Sequence, residues 1–273
     1  MNKPYLLLLS LFFAAAGARG QVPLPVLYVT QVPPQGVTGT VTSIGGNHLP
    51  TVEAAPRGGD LMIRYPNGSV RNLTRETGYG HGNPDQGAGA IAVRDPHIHW
   101  SGQRAVFSMV ISTADPAADR WQLYEMGGME EGGAVVITRV PYQPENFNNV
   151  QPCFSPDDRI IFVSDRTRDG SLATYPALDE KGLGRINTGL WSLDPETGEV
   201  FQMEHSPSGS FDPMVDSYGR VLFTRWDHLQ RDEKLVSAVP GGLVAGFDYS
   251  SEAAPMRLVK RFRAGVRLRM GFA

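Results

Sequence analysis

The sequence predicts an all-β chain, a β-propeller of four-stranded blades, and two repeating observations predict it. A strand, turn and strand unit occurs three times, at residues 95–110, 150–166 and 211–226, and its prolines Pro96, Pro152 and Pro213 lie 56 and 61 residues apart. A second hairpin lies between these units, at residues 60–74, 121–138 and 190–201. Two hairpins per repeat make a four-stranded sheet, and repeats of this period built from strands indicate a solenoid or a propeller. At this spacing the 273-residue chain holds about four blades. An incomplete propeller is therefore expected, completed by a protein partner or by self-association.

Each element has its own local cause. In V-Q-P-C-F-S-P-D-D-R-I-I-F-V-S-D-R, Pro152 starts the segment, residues 155–158 form a polar turn, and Ile160, Ile161, Phe162 and Val163 are a β-branched and aromatic run suited to a buried strand. In the unit before it, Trp100-Ser101 matches Phe154-Ser155 and residues 104–107 match residues 159–162, which makes that turn one residue shorter. In the third unit Asp212-Pro213 opens, Tyr218-Gly219 turns, and residues 220–223 give the strand. The intervening hairpins turn at Asn67-Gly68 and at D-P-E-T-G, residues 194–198, both strong hairpin signals.

These alternating units resemble the WD-repeat-like propeller repeat of TolB-type periplasmic proteins. A-V-R-D-P-H-I-H-W-S-G, R-W-Q-L-Y-E-M, T-G-L-W-S-L-D-P-E-T-G and S-G-S-F-D-P-M-V-D-S-Y-G-R-V-L-F-T-R-W-D-H-L-Q-R-D further resemble the propeller region of proteins related to the hydrazine synthase alpha subunit, over residues 60–232. The resemblance implies the fold and does not carry over a reaction, because propellers host many unrelated activities. That alpha subunit is a haem protein, whereas this chain has one cysteine and no C-x-x-C-H motif. Covalent c-type haem by that route is excluded, and any other cofactor stays open.

Along the chain, residues 1–20 read as a signal peptide. Lys3 supplies the charge, residues 5–16 the apolar core, and Ala18-Arg19-Gly20 a cleavage site before Gln21. The core is too short to span a bilayer, with a membrane anchor as the alternative reading. Residues 21–57 are a lead-in segment in which residues 27–30 are either an outer strand that closes the ring or the approach to the first blade. Residues 58–232 hold the blades, and residues 233–273 read as an irregular basic tail. Six basic residues and no acidic one lie between Arg257 and Arg269, which reads as a truncated end of a longer gene or as a basic arm. A net charge of -3 gives no reason to expect nucleic acid, and no later segment is apolar for long enough to span a membrane.

Candidate site residues fall into three groups. His97 and His99, two apart, share one face of a strand and are candidates to close on a metal with His81 or Asp85; the competing reading packs His99 beside Trp100 and leaves His97 solvated at a strand end. The long connection at residues 166–190 carries Arg166, Arg168, Asp169, Tyr175, Asp179 and Glu180, a binding mouth or a solvated loop. Asp157, Asp158, Asp165, Asp216 and Asp227 stand near turns, where aspartates usually bond to the turn backbone. Cys153 reads as a small core residue. The glycines at 87–92 formally fit G-x-G-x-x-A, but Asp95-Pro96 ends the following apolar run where a helix is required, so the dinucleotide reading is rejected. No G-x-S-x-G elbow occurs.

These features favour a periplasmic or secreted propeller acting as a binding or assembly module, with an enzyme role left uncertain. The alternative is a subunit of an extracytoplasmic metal-dependent or redox enzyme. Protein purified from the periplasm is expected to begin at Gln21; an intact mass that retains residues 1–20 overturns the signal-peptide reading.

Overall fold

A computed structural model describes residues 23–31, 52, 56–80, 88–166, 188–204 and 209–225, together with the backbone of short strands at 244–246, 257–259 and 269–272. Residues 1–22 and most of the two long loops lie outside the described residues. The first sheet joins β1 (Val26–Val29), β2 (Leu61–Arg64) and β3 (Val70–Asn72), and a single helical turn, α1 (Leu73–Glu76), follows it. The second is a four-stranded meander of β4 (Ile91–Ile98), β5 (Arg104–Ile111), β6 (Gln122–Gly127) and β7 (Val136–Arg139). The third repeats that order with β8 (Asn149–Phe154), β9 (Ile160–Ser164), β10 (Gly189–Leu193) and β11 (Val200–Gln202). The fourth begins with β12 (Ser210–Val215) and β13 (Val221–Arg225). Every pairing is antiparallel.

The sheets stack face to face with β4, β8 and β12 packed against one another, which is the arrangement of propeller blades about an axis. Strand alternation makes the packing. Along β5, Ala105, Phe107 and Met109 enter the core shared with the first sheet, while Val106 enters the core shared with the third. A strand covered on both faces must be apolar at nearly every position, and this explains the run Ala105 to Val110. Phe154, Ile160, Phe162 and Trp191 fill the second-to-third interface, and Cys153, Val150, Val163 and Leu190 meet Val221 and Phe223 of the fourth sheet. Full burial of such a side chain stabilises by about 1.5–3 kcal/mol.

Each inner strand breaks its ladder at the same place. The register slips by one residue between Arg94 and His97, between Val150 and Cys153, and between Phe211 and Met214, so Asp95-Pro96, Gln151-Pro152 and Asp212-Pro213 each oppose a single phenylalanine, Phe107, Phe162 or Phe223. These are β-bulges, and the proline, which has no N–H to give a ladder, fits the break. The residue before each proline is left-handed, with φ of 52° at Asp95, 53° at Gln151 and 51° at Asp212. At the two later bulges the amide turns to the preceding blade: the Gln151 N–H donates to Asp95 Oδ2 at 3.2 Å, and the Asp212 N–H to Gln151 Oε1 at 3.0 Å. Gln151 Nε2 also donates to Asp212 Oδ1. The repeat prolines therefore mark a chain of latches between blades.

Three details differ from the sequence reading. The His99 N–H bonds to the Arg104 carbonyl at 2.9 Å as Ser155 does to Arg159 at 2.9 Å and Asp216 to Arg220 at 3.0 Å, so His99, not Trp100, is the counterpart of the residue opening each turn. The turn of the second sheet is consequently one residue longer than the others, not shorter; matching aromatic to aromatic misplaced it. The β2–β3 hairpin corresponds to β6–β7 and β10–β11, which puts β1 in the second-strand place of its sheet. In the segment read as an irregular tail, β14 (Val244–Gly246) pairs with β15 (Arg257–Val259), and β16 (Arg269–Phe272) adds to β13.

Gln151→Ala is expected to destabilise the fold by about 1–3 kcal/mol, since it leaves the Asp212 amide and carboxylate without their partner. Urea unfolding checks this: the midpoint falls while the denaturant slope is unchanged. A change below about 0.5 kcal/mol would count against the latch.

Candidate functional site

The meander order gives the molecule two unlike faces. One carries the turns between first and second strands, which hold Trp100, Pro156 and Tyr218. The other carries the β5–β6, β9–β10 and β11–β12 connections.

On the first face the turns of neighbouring blades are tied by a polar and aromatic cluster. His99 Nδ1 accepts the Ser101 N–H at 3.2 Å and lies 2.8 Å from Ser101 Oγ, while Nε2 lies 2.9 Å from Asp158 Oδ1 across the blade boundary. Arg104 Nη2 lies 3.2 Å from the same Nε2, so this nitrogen is shared between a carboxylate and a guanidinium. Arg104 reaches the same carboxylate oxygen at 2.6 Å, binds Glu125 at 3.1 Å, and lays its guanidinium 5.0 Å from the centre of the Phe154 ring. Trp100 stacks on His99 at 3.8 Å and remains exposed.

The structure places His97 and His99 together, both against Phe154 at 6.1 Å and 5.0 Å between ring centres. Both nitrogens of His99 are engaged, whereas His97 Nδ1 is buried without a hydrogen-bond partner. Burial, reinforced by His99, lowers the His97 pKa below its ordinary value. No group of three His, Cys, Asp or Glu side chains arranged for a metal occurs among the described residues, and His81 and Asp85 lie outside them.

Asp216 bonds within its own turn, whereas Asp165 and Asp158 bond residues distant in sequence. Asp216 Oδ1 accepts the Tyr218 and Arg220 amides, both at 2.9 Å, and Asp165 accepts the Asn148 amide at 2.8 Å and its side chain at 2.9 Å. Hydrogen bonding to the Arg220 side chain, then to backbone amides, holds Asp216 below the usual carboxylate range. Asp227 lies outside the described residues. Cys153 is fully buried and its thiol is pushed up to about 12 by burial, which makes it unreactive.

On the second face, Arg166 ends the described part of the long loop, half-buried over the Trp191 ring at 4.8 Å. Arg168, Asp169, Tyr175, Asp179 and Glu180 lie outside the described residues. At the axis, burial raises the Asp95 pKa, opposed by the Arg94 guanidinium at 2.6 Å and aided by the Asp212 carboxylate. Sequence reasoning passed over Asp95, Gln151 and Asp212 as a set, although the signal was available: each directly precedes a repeat proline.

No protein-family model matches the chain. No curated protein matches it. Among solved structures it is similar to the hydrazine synthase of Kuenenia stuttgartiensis, with 13% identity and a TM-score of 0.46 over 74% of this chain and 28% of that one. It is similar to a TolB from Agrobacterium tumefaciens, with 17% identity and a TM-score of 0.39 over 62% of this chain and 46% of that one. A TolB from Acinetobacter baumannii gives 12% identity and 0.37 over 75% and 38%. The chain spans less than half the length of each. These are the two groups whose motifs the sequence resembles, and the fold itself rests on the sheets described above.

The raised Asp95 pKa makes stability depend on pH with a definite sign. Folded Asp95 holds its proton more tightly than the unfolded chain does, so its contribution is fully present below about 3.8 and is lost as pH rises through the raised folded value. The stability of the wild type relative to Asp95→Asn should therefore decline as pH rises above about 4 in urea titrations. A relative stability that increases over this range contradicts the assignment.

Proposed function

We propose that the chain is an extracytoplasmic β-propeller binding module that recognises a protein partner through the face of first-to-second-strand turns. The observation that carries this reading is the set of large apolar side chains left exposed there: Ile98 at 42%, Trp100 at 59%, Met214 at 53% and Tyr218 at 82%. Trp and Tyr are the side chains that most often anchor protein interfaces, because they bury much area with little loss of freedom. Here both are already held in place, Trp100 against His99 and Tyr218 by Arg220 at 5.1 Å from its ring centre. The turns are also close neighbours, since a Cβ on Gly219 would touch Pro156 at 3.4 Å and Trp100 lies 6.5 Å from Phe154. A second copy of this chain is the competing occupant of that face.

The extracytoplasmic setting is supported by the character of residues 1–20. A second reading, a subunit of an extracytoplasmic metal-dependent or redox enzyme, is favoured by one observation, the unpartnered Nδ1 of His97. It requires His81 or Asp85 to approach His97 and His99.

Native mass spectrometry of residues 21–273 purified from the periplasm separates the readings. The wild type is expected to carry a protein partner, and Trp100→Ala with Tyr218→Ala to weaken that complex about 10-fold or more. A complex unaffected by both substitutions overturns the surface, and a bare monomer with stoichiometric zinc, copper or iron selects the enzyme subunit.

A further inference from the structure

We infer that the open edge of β1 docks an extended strand from a protein partner, one that carries glutamine or asparagine directly before a proline. The site is separate from the turn face proposed above and uses none of its residues. In three sheets the second strand is paired on both sides: β5 lies between β4 and β6, β9 between β8 and β10, and β13 between β12 and β16. β1 holds the same place in the first sheet and pairs with β2 alone. Among the described residues, no strand takes the first-strand place of that sheet.

The register identifies the groups presented at this edge. The Leu61 N–H donates to Thr74 Oγ1, on the side of β3, so Leu61 and Ile63 turn their backbone groups toward β3 and Met62 and Arg64 turn theirs toward β1. Val26 and Tyr28, opposite Arg64 and Met62, complete the β1–β2 ladder, which leaves the N–H and C=O groups of Leu27 and Val29 directed outward. No described residue outside that ladder bonds them. The strand is nevertheless held in place: the Leu27 and Val29 side chains pack on the core shared with the second sheet, the Thr30 N–H donates to the Asp60 carbonyl at 2.9 Å, and the Asp60 N–H donates to Thr30 Oγ1 at 2.9 Å. Val26–Val29 contains neither a charge nor a proline, the usual devices that keep an edge from pairing. A rigid, unguarded edge is a template for an added strand.

The latches between blades define what that strand must carry. The Gln151 amide is met by Asp95 and the Asp212 amide by Gln151, in each case by the residue before the proline in the inner strand of the preceding blade. Asp95 has the same left-handed backbone, with φ of 52°, and pairs with no residue of β5, yet among the described residues its amide is bonded to no other blade. β4 packs against β1, so the blade that Asp95 addresses is the first. Its Oδ1 also accepts no bond among the described residues, whereas Asp212 Oδ1 is taken by Gln151 Nε2. A side-chain amide in the role of Gln151 satisfies both groups, its oxygen accepting the Asp95 N–H and its nitrogen donating to Oδ1. A carboxylate there would meet the Asp95 carboxylate and be repelled. The proline that follows, having no N–H, fits the break in the ladder.

The test uses residues 21–273 and a synthetic peptide of residues 148–155 with Cys153→Ser, labelled at its N-terminus. Fluorescence anisotropy is expected to show saturable binding. Hydrogen exchange read by NMR should slow at the Leu27 and Val29 amides and stay unchanged at Tyr28, which is already in the β1–β2 ladder. Gln151→Ala or Gln151→Glu in the peptide should weaken binding about 10-fold or more. Val29→Pro in the protein removes an outward N–H from an edge strand and should weaken binding by a similar factor. If that variant does not fold, as judged by exchange at Tyr28, the peptide series decides. Trp100→Ala with Tyr218→Ala should leave the peptide affinity unchanged, which separates this edge from the turn face. The proposal is overturned by a peptide that does not bind, that binds without slowing Leu27 and Val29, or that binds equally well with alanine. Slow exchange of these two amides in the protein alone also overturns it, since the edge is then covered by this chain or by a second copy.

Discussion

The relative register of the blades is set at the bulges, where the Gln151 and Asp212 amides leave their own ladders and bond to the preceding blade. A non-glycine residue in the left-handed region costs about 1–3 kcal/mol, and Asp95, Gln151 and Asp212 all adopt it. A bond from an amide to a charged or polar side chain returns about 0.5–3 kcal/mol. The two magnitudes are comparable, so the bulge adds little net stability. What it changes is direction: the Gln151 and Asp212 amides point at the preceding blade, and sheets that otherwise meet through apolar side chains alone are set in one relative register. Apolar packing is non-directional and would tolerate sliding; hydrogen bonds would not.

That constraint explains which parts of the fold were legible in the sequence. The three prolines and the phenylalanines opposite them are visible as a repeat because the bulge demands both, a residue without N–H at the break and a large apolar side chain across from it. The consequence, an inter-blade latch, was not visible, because Asp, Gln and Asp share no obvious pattern and act on residues about 60 positions away. The turns failed for a related reason. Trp100 resembles Phe154 as a side chain, but His99, Ser155 and Asp216 share the backbone position, and each holds the turn differently: His99 Nδ1 and Asp216 Oδ1 accept backbone amides, whereas Ser155 Oγ donates to the Arg159 carbonyl. Backbone equivalence does not require chemical likeness. The segment after residue 233 was obscured in the same way, since its basic residues mask short extended runs such as Arg257–Val259 and Arg269–Phe272.

For the candidate sites, single residues were legible and their environments were not. The pairing of His97 with His99 follows from strand alternation alone. Nothing in the sequence indicates that Asp158, from the next blade, takes the Nε2 of His99 while Nδ1 of His97 stays unpartnered, because that depends on which turn packs beside which. Arg166 was likewise identifiable as a loop arginine, whereas Trp191, on which it stacks, read as an ordinary strand residue.

The arginines show one local rule applied in successive blades. Arg104, Arg159 and Arg220 open the second strand of successive blades, and each is placed over an aromatic ring with its charge met by a carboxylate. Stacking alone leaves the edge of the guanidinium plane unsatisfied, and in this chain acidic side chains at strand ends and turns normally fill that edge. Where the pairing is complete the arginine is a clamp, holding Phe154 or Tyr218 in position. Arg166 stacks on Trp191 in the same way, half-buried and with no carboxylate partner among the described residues, so there the stacking alone positions the guanidinium.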